Sequence, residues 1–324
     1  MRLILAIFLT CFFLFSLTFV THAQSPTPLS NVFFELFPKY PRPQEPFTIE
    51  AISFGSFLST ASITWEVGGK VIERGVGKTK INLTAPAAGV AQNIRLRVRN
   101  SEGRTISGSY TLRPFDFDLI FEADATVPPF YRGKALYPNE GEVRVVALPR
   151  FTDSAGRLLS HRSLIYKWKN GDKLDREQSG LGANVYRFRG PAILRSEEIS
   201  VEASTADGRV KGEARLSLLP VDSKVYLYEE HPLYGVRFEH ILSPGSPLFG
   251  RELKAAAIPY FFGDGDALKY TWTINNRPVA ESDAAVTVRR ENEEKGEAAL
   301  GVSVILPGRD FQFASFGTSL MLMK

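Results

Sequence analysis

Gly75-Val-Gly77-Lys78-Thr79 has the ending of a phosphate-binding loop, in which backbone N–H groups and a lysine would cradle a nucleotide. The full motif needs a glycine five places before Gly77, where Ile72 stands. It also needs a helix whose N-terminus meets the phosphate, and here an alternating strand pattern follows. Asp116, Asp118, Glu122 and Asp124 gather hard carboxylate oxygens of the kind calcium takes, at what reads as a linker. Simple strand alternation in Phe115-Asp116-Phe117-Asp118 accounts for the same spacing. Asp264 and Asp266, in Phe262-Gly263-Asp264-Gly265-Asp266, could also meet calcium, but the spacing is not that of an EF-hand and Asp-Gly reads as a turn. Tyr40, Phe130, Tyr131 and Tyr137 lie in proline-rich loops, where an exposed ring would contact a protein or a sugar. Phe311, Phe313 and Phe316 form a second aromatic stretch near the C-terminal end. The competing use of all these rings is core filling.

Catalytic signals are sparse. His161, His231 and His240 show no metal spacing, and no Gly-x-Ser-x-Gly elbow occurs. Cys11 is the only cysteine, so beyond the N-terminal run there is neither a thiol nucleophile nor a disulfide. Carboxylates distant in the chain are the one hydrolytic arrangement that spacing does not address. The expectation is a protein that is not an enzyme and has no cofactor and no metal.

The elements that must position these residues repeat. The three tryptophans, Trp65, Trp168 and Trp272, are 103 and 104 residues apart. Each sits in a short apolar strand frame, Ile63-Thr64-Trp65, Tyr166-Lys167-Trp168 and Tyr270-Thr271-Trp272, and each is expected to be a core residue. A fixed period of one small domain marks tandem repetition. Every copy opens with an apolar pair and a glutamate: Phe33-Phe34-Glu35, Ile120-Phe121-Glu122, Leu227-Tyr228-Glu229. Behind each tryptophan comes a turn signal, at Gly68-Gly69, Asn170-Gly171 and Asn275-Asn276. A later hairpin carries Gly103-Arg104, Gly208-Arg209 and Gly308-Arg309, at 38, 40 and 36 residues from the tryptophan. Seven or so short alternating strands per copy predict an all-β chain of three tandem β-sandwiches.

The tryptophan strand followed by an Asn/Gly turn, the proline turn before the second strand and the late Gly-Arg hairpin resemble immunoglobulin-like and PKD-like modules of bacterial surface proteins. The antibody-type cysteines are missing, with Ala51, Ala147 and Ala257 on the strand where the first would fall, so the resemblance is to the cysteine-free type. It implies a stalk, spacer, adhesin or assembly subunit, and it implies no catalytic residues.

The N-terminus supplies the compartment. Arg2, the apolar run Leu3–Val20 and Thr21-His22-Ala23 describe a signal peptide cut after Ala23, and a run of that length also suffices for a retained membrane anchor. The expected organisation is 1–23 signal or anchor, followed by immunoglobulin-like domains at 24–114, 115–222 and 223–324. The first domain carries 11 basic and 6 acidic side chains, the second 16 of each, the third 11 and 13. With no compact basic run, nucleic acid is not an expected partner. The reading is an extracytoplasmic, non-catalytic envelope protein that spaces or presents binding surfaces to an envelope protein. The alternative is an adhesin or accessory protein for cell-wall glycan. Membrane contact would come only through residues 3–20.

Overall fold

The computed structural model describes residues 32–53, 56–193, 195–263, 267–280, 283–290 and 295–323. The apolar run with Cys11 and Ala23, and the Asp264/Asp266 turn, lie outside the described residues. Among those described, no helix is long and apolar enough to cross a membrane.

Regular structure is strand, apart from short 3-10 turns such as His161–Ser163. The first run is β1 (Val32–Phe37), β2 (Pro46–Ser53), β3 (Ser62–Val67), β4 (Lys70–Val76), β5 (Lys80–Thr84), β6 (Gln92–Arg99) and β7 (Thr105–Leu112). The second is β8 (Phe117–Asp124), β9 (Glu142–Pro149), β10 (Ile165–Asn170), β11 (Lys173–Leu181), β12 (Val185–Arg189), β13 (Glu197–Ser204) and β14 (Lys211–Leu218). The third is β15 (Lys224–His231), β16 (Gly235–Ile241), β17 (Ser246–Leu248), β18 (Glu252–Tyr260), β19 (Lys269–Ile274), β20 (Arg277–Pro278), β21 (Ala285–Arg289), β22 (Gly296–Ile305) and β23 (Phe313–Leu322).

The first two runs divide alike. Sheets β1-β2-β5 and β12-β9-β8 hold the first, second and fifth strands. Sheets β4-β3-β6-β7 and β11-β10-β13-β14 hold the other four. With the first, second and fifth strands in one sheet and the third, sixth and seventh in the other this is an immunoglobulin-like partition, the fourth strand standing at the edge of the larger sheet beside the third. The third run repeats it and adds two strands, giving β16-β15-β18-β21 and β17-β23-β22-β19-β20. The chain is therefore a tandem array of immunoglobulin-like β-sandwiches.

Strand alternation sets the cores. In β6, Ile94, Leu96 and Val98 are buried while Arg95, Arg97 and Arg99 are exposed. Phe115 and Phe117 are likewise buried and Asp116 and Asp118 exposed. The hairpin signals also act locally. Both central residues have positive φ at Gly68-Gly69 (58° and 84°) and at Asn275-Asn276 (50° and 62°), the geometry that matches strand twist.

Each tryptophan is fully buried on the third strand of its sandwich in the seven-strand order, opposite the sixth: Trp65 faces Leu96, Trp168 faces Val201 and Trp272 faces Val302. A buried indole N–H needs an acceptor. It donates to a backbone carbonyl in all three copies, Lys78 O at 2.8 Å, Ala183 O at 2.7 Å and Asp283 O at 2.9 Å. This is what the Gly-x-Gly loops are for. Gly77 (φ 67°) and Gly182 (φ 70°) each precede the accepting residue, and a Cβ on Gly77 would meet Ser59 O at 2.7 Å. The phosphate-loop lookalike is a cap for a tryptophan.

By internal contacts the described chain forms two compact units. The smaller comprises residues up to Leu36, 48–82 and 93–111, and the larger comprises 37–47, 83–92 and everything from Leu112. Within the larger unit the second and third sandwiches interlock through the long loop between β8 and β9. Thr126 N–H donates to Phe262 O and Phe261 N–H donates to Thr126 O, both at 2.7 Å. Phe262 N–H also donates to Thr126 Oγ1 at 3.0 Å. Farther along the loop, Gln312 Nε2 donates to Asn139 O at 2.7 Å while Gln312 Oε1 accepts from Gly263 N–H at 2.7 Å. Val221 N–H donates to Tyr137 O at 3.0 Å.

Candidate binding site

The third sandwich carries what the others lack. The interval is 16 residues from Glu35 to Ala51 in the first copy, 25 from Glu122 to Ala147 in the second and 28 from Glu229 to Ala257 in the third, and only in the third does the surplus include strands. The surplus forms β16 and β17. β15 and β16 pair as an antiparallel hairpin whose tip is Pro232-Leu233-Tyr234. Gly235 (φ 69°) closes the turn. His231 braces it: Nδ1 accepts the Leu233 N–H at 3.1 Å and the imidazole stacks on Tyr234 with centroids 4.7 Å apart. That bond puts the proton of the neutral ring on Nε2. Leu233 is 83% exposed and Tyr234 79% exposed.

Past β16 the chain changes sheets. Leu242 N–H donates to Leu227 O at 2.8 Å, and a tight turn follows in which Ser246 N–H donates to Ser243 O at 2.9 Å. β17 then pairs in parallel with β23, Ser246 opposite Leu320 and Leu248 opposite Leu322. Leu242 and Leu248 are buried on either side of the crossing. The crossing leaves a cleft of about 340 Å³ lined by Glu229, Arg237, His240, Ser246, Pro247, Phe249 and Glu252, with Ile241, Leu242 and Leu253. Arg237 Nη1 lies 3.5 Å from Glu229 Oε2, and Arg289 Nε lies 3.2 Å from Glu252 Oε2. Phe249 stands at the cleft with 74% of its surface exposed.

The residues singled out from sequence scatter. Phe130 is 91% exposed, at a positive φ of 63°. Tyr131, next to it, is half-buried and packs edge-on against Tyr260 and Phe261, so its ring belongs to the interlock. Tyr137 corrects its expected role as a ligand contact. It is 2% exposed, packed on Phe188 beneath Gly190, where a Cβ would come within 2.4 Å of the ring. The loop that carries it folds over the end of the second sandwich, and burial, then the Glu197 charge, pushes its phenol up to about 12.

Tyr40 is half-buried in the segment 37–47 of the larger unit, and its hydroxyl donates to Glu202 Oε2 at 2.7 Å. Burial pushes the Glu202 carboxyl up, but the Tyr40 hydroxyl, Lys39 and Lys167 outweigh it and hold the group below its usual range. A depressed carboxylate stabilises the fold above its unfolded pKa and stops doing so as pH falls through its folded pKa. Tyr40→Phe is expected to cost about 1 kcal/mol at neutral pH. Urea titrations at neutral and acid pH should show that cost shrink once Glu202 is protonated, because the hydroxyl then meets a neutral acceptor.

The acidic quartet does not converge. Asp118, Glu122 and Asp124 are exposed on one face of β8, and Glu122 and Asp124 border a second cleft, of about 480 Å³, together with Glu142, Arg144 and Arg187. Glu122 pairs with Arg144 and Glu142 with Arg189, so guanidinium groups occupy the place a cation would take. Among the described residues no three acidic, imidazole or thiol groups stand together as a metal site.

No family model matches the chain, and no curated protein matches it. Solved structures resemble it at low identity. Three N-terminal domains of the highly immunogenic outer capsid protein (Hoc) of bacteriophage RB49 are 11% identical, covering 91% of this chain and 99% of that one, with a TM-score of 0.24. The central fibronectin-III array of RIM-binding protein is 9% identical, covering 90% and 96%, with a TM-score of 0.30. SGBP-B of a Bacteroides ovatus mixed-linkage glucan utilization locus, in complex with a mixed-linkage heptasaccharide, is 11% identical, covering 88% and 65%, with a TM-score of 0.23. At such scores these likenesses bear on no function of this chain.

Proposed function

We propose that this chain is an exported, non-catalytic envelope or surface protein that carries a protein-contact surface on its third sandwich, the other sandwiches acting as spacer. The observation that carries the reading is the β15–β16 hairpin tip. Two large apolar side chains, Leu233 and Tyr234, stand side by side almost fully in solvent. A tip braced by the His231 contacts loses little freedom on binding, and Tyr is among the residues that dominate protein contacts. The tip belongs to one copy of the repeat, as a specific contact would, whereas the cores are shared by all. Export rests on Arg2, the apolar run Leu3–Val20 and the small residues around His22. N-terminal sequencing of the protein from its native cells separates cleavage after Ala23 from a retained anchor.

The test is affinity capture from native envelope fractions with the full chain and with a Leu233→Ser/Tyr234→Ser variant. The expected result is a stoichiometric protein partner whose recovery falls at least tenfold in the variant, with the circular dichroism unchanged. Equal recovery by both proteins removes the tip from the contact. Recovery of nothing but the chain itself leaves only the spacer.

A further inference from the structure

We propose that the cleft beside β16 binds one sugar residue of a neutral polysaccharide, a site separate from the hairpin tip. Its about 340 Å³ lies at the small end of ligand pockets, the scale of a single ring rather than a folded partner. A pyranose offers two chemistries at once, an apolar C–H face and a rim of hydroxyls. The cleft offers a complement to each. Phe249, 74% exposed, presents a ring whose electron-rich face attracts C–H groups. Glu229, Glu252 and Arg237 are planar groups that accept or donate two hydrogen bonds side by side, the geometry of adjacent hydroxyls.

Charge selects a neutral ligand. Arg237 is already matched by Glu229 and Glu252 by Arg289. An anionic sugar would bring its charge against two carboxylates, while among the described lining residues the basic groups are His240 and the already paired Arg237, and a cation would meet carboxylates that are already paired. Hydroxyls can join such pairs without unbalancing them. The backbone that carries the polar groups is fixed, because Glu229, Arg237 and Glu252 stand on β15, β16 and β18, adjacent strands of one sheet in the order β16-β15-β18. β16 and the β17 crossing, which make the cleft, come from the insertion, so neither of the other two sandwiches can form it.

Affinity electrophoresis tests this, using the full chain in gels containing dextran, galactomannan, mixed-linkage β-glucan or, as the anionic control, polygalacturonate. The expected result is retardation by at least one neutral polymer. Phe249→Ala and Arg237→Ala should each weaken it tenfold or more, while Leu233→Ser leaves it unchanged. Phe249 is exposed enough for its loss to leave the fold intact, which circular dichroism would confirm. Retardation by polygalacturonate alone, retardation that Phe249→Ala leaves intact, or none with any neutral polymer overturns the proposal. So does a captured peptide that depends on Phe249 where no polysaccharide is retarded. Protein capture through the tip is read by Leu233 and Tyr234, so either reading can fail without the other.

Discussion

Trp168→Ala is expected to unfold the second sandwich at neutral pH, and with it the third to which it is hydrogen-bonded, or to leave the pair marginal, since domains are stable by about 5–15 kcal/mol. Three losses add at this position. Removing the largest side chain of a close-packed core costs about 3–5 kcal/mol through lost burial and the cavity left behind. The ring also stacks on Tyr186, with centroids 5.3 Å apart and planes inclined by 17°, and that contact is worth about 0.5–1.5 kcal/mol more. Finally the Ala183 carbonyl, which accepts the indole N–H at 2.7 Å, loses that partner in a half-buried place. Trp168→Phe isolates this last loss: it keeps an aromatic ring and removes the donor, at an expected cost of about 1–3 kcal/mol plus that of the smaller ring. Urea unfolding followed by circular dichroism reads both variants. An unchanged midpoint in Trp168→Phe would mean that the indole bond, present in all three sandwiches, contributes nothing.

What could be read without coordinates divides along the same line, between local and distant causes. The hairpins at Gly68-Gly69 and Asn275-Asn276 were legible because positive φ is a property of the residues that sit there. The buried tryptophans were legible because their spacing repeats. Their caps were not. The accepting atoms belong to Lys78, Ala183 and Asp283, three unlike residues, because a backbone carbonyl leaves no trace in residue identity. Aromatic exposure was equally hidden. Tyr137 and Tyr234 both neighbour prolines or glycines in loops, yet one is a core residue and the other is in solvent. The difference is whether a loop folds over a sandwich end or projects from a hairpin, which no short window of sequence contains. Length alone did not reveal the insertion, since the interval from Glu122 to Ala147 is 25 residues and spans a loop while that from Glu229 to Ala257 is 28 and holds β16, an edge strand. Its exposed Arg237 and Glu239 alternate with half-buried Val236 and Phe238, so the alternation of a half-buried strand stood in Val236-Arg237-Phe238-Glu239 to be read. Among the acidic quartet, the strand alternation already legible in the spacing places Asp118, Glu122 and Asp124 on the wet face of β8.

Gln312→Leu is expected to lower the unfolding midpoint of both the second and third sandwiches, though Gln312 lies in the third. The reason is that one side chain serves both. Gln312 is 1% exposed, donates to Asn139 O from its Nε2 and accepts the Gly263 N–H at its Oε1, each at 2.7 Å. Leucine has nearly the same volume and neither group, so a carbonyl of one sandwich and an N–H of the other lose their partners together. Each buried orphan costs about 1–3 kcal/mol, for a total of about 2–6 kcal/mol. Were the sandwiches independent, only local order around Gln312 would suffer. Thr126 argues otherwise: its N–H, carbonyl and hydroxyl all bond to Phe261 and Phe262, so the third sandwich continues the hydrogen bonding of the second. Tyr131 covers that seam on Tyr260 and Phe261. Unfolding either sandwich alone would expose these rings and break these bonds at once, which makes the two a single cooperative unit. Pulsed hydrogen exchange read peptide by peptide across a urea series checks this directly. Peptides from β10, β13, β19 and β22 should share one midpoint in the native sequence and move down together in Gln312→Leu. Two separate midpoints in the native sequence would show that the seam, for all its hydrogen bonds, does not couple the sandwiches.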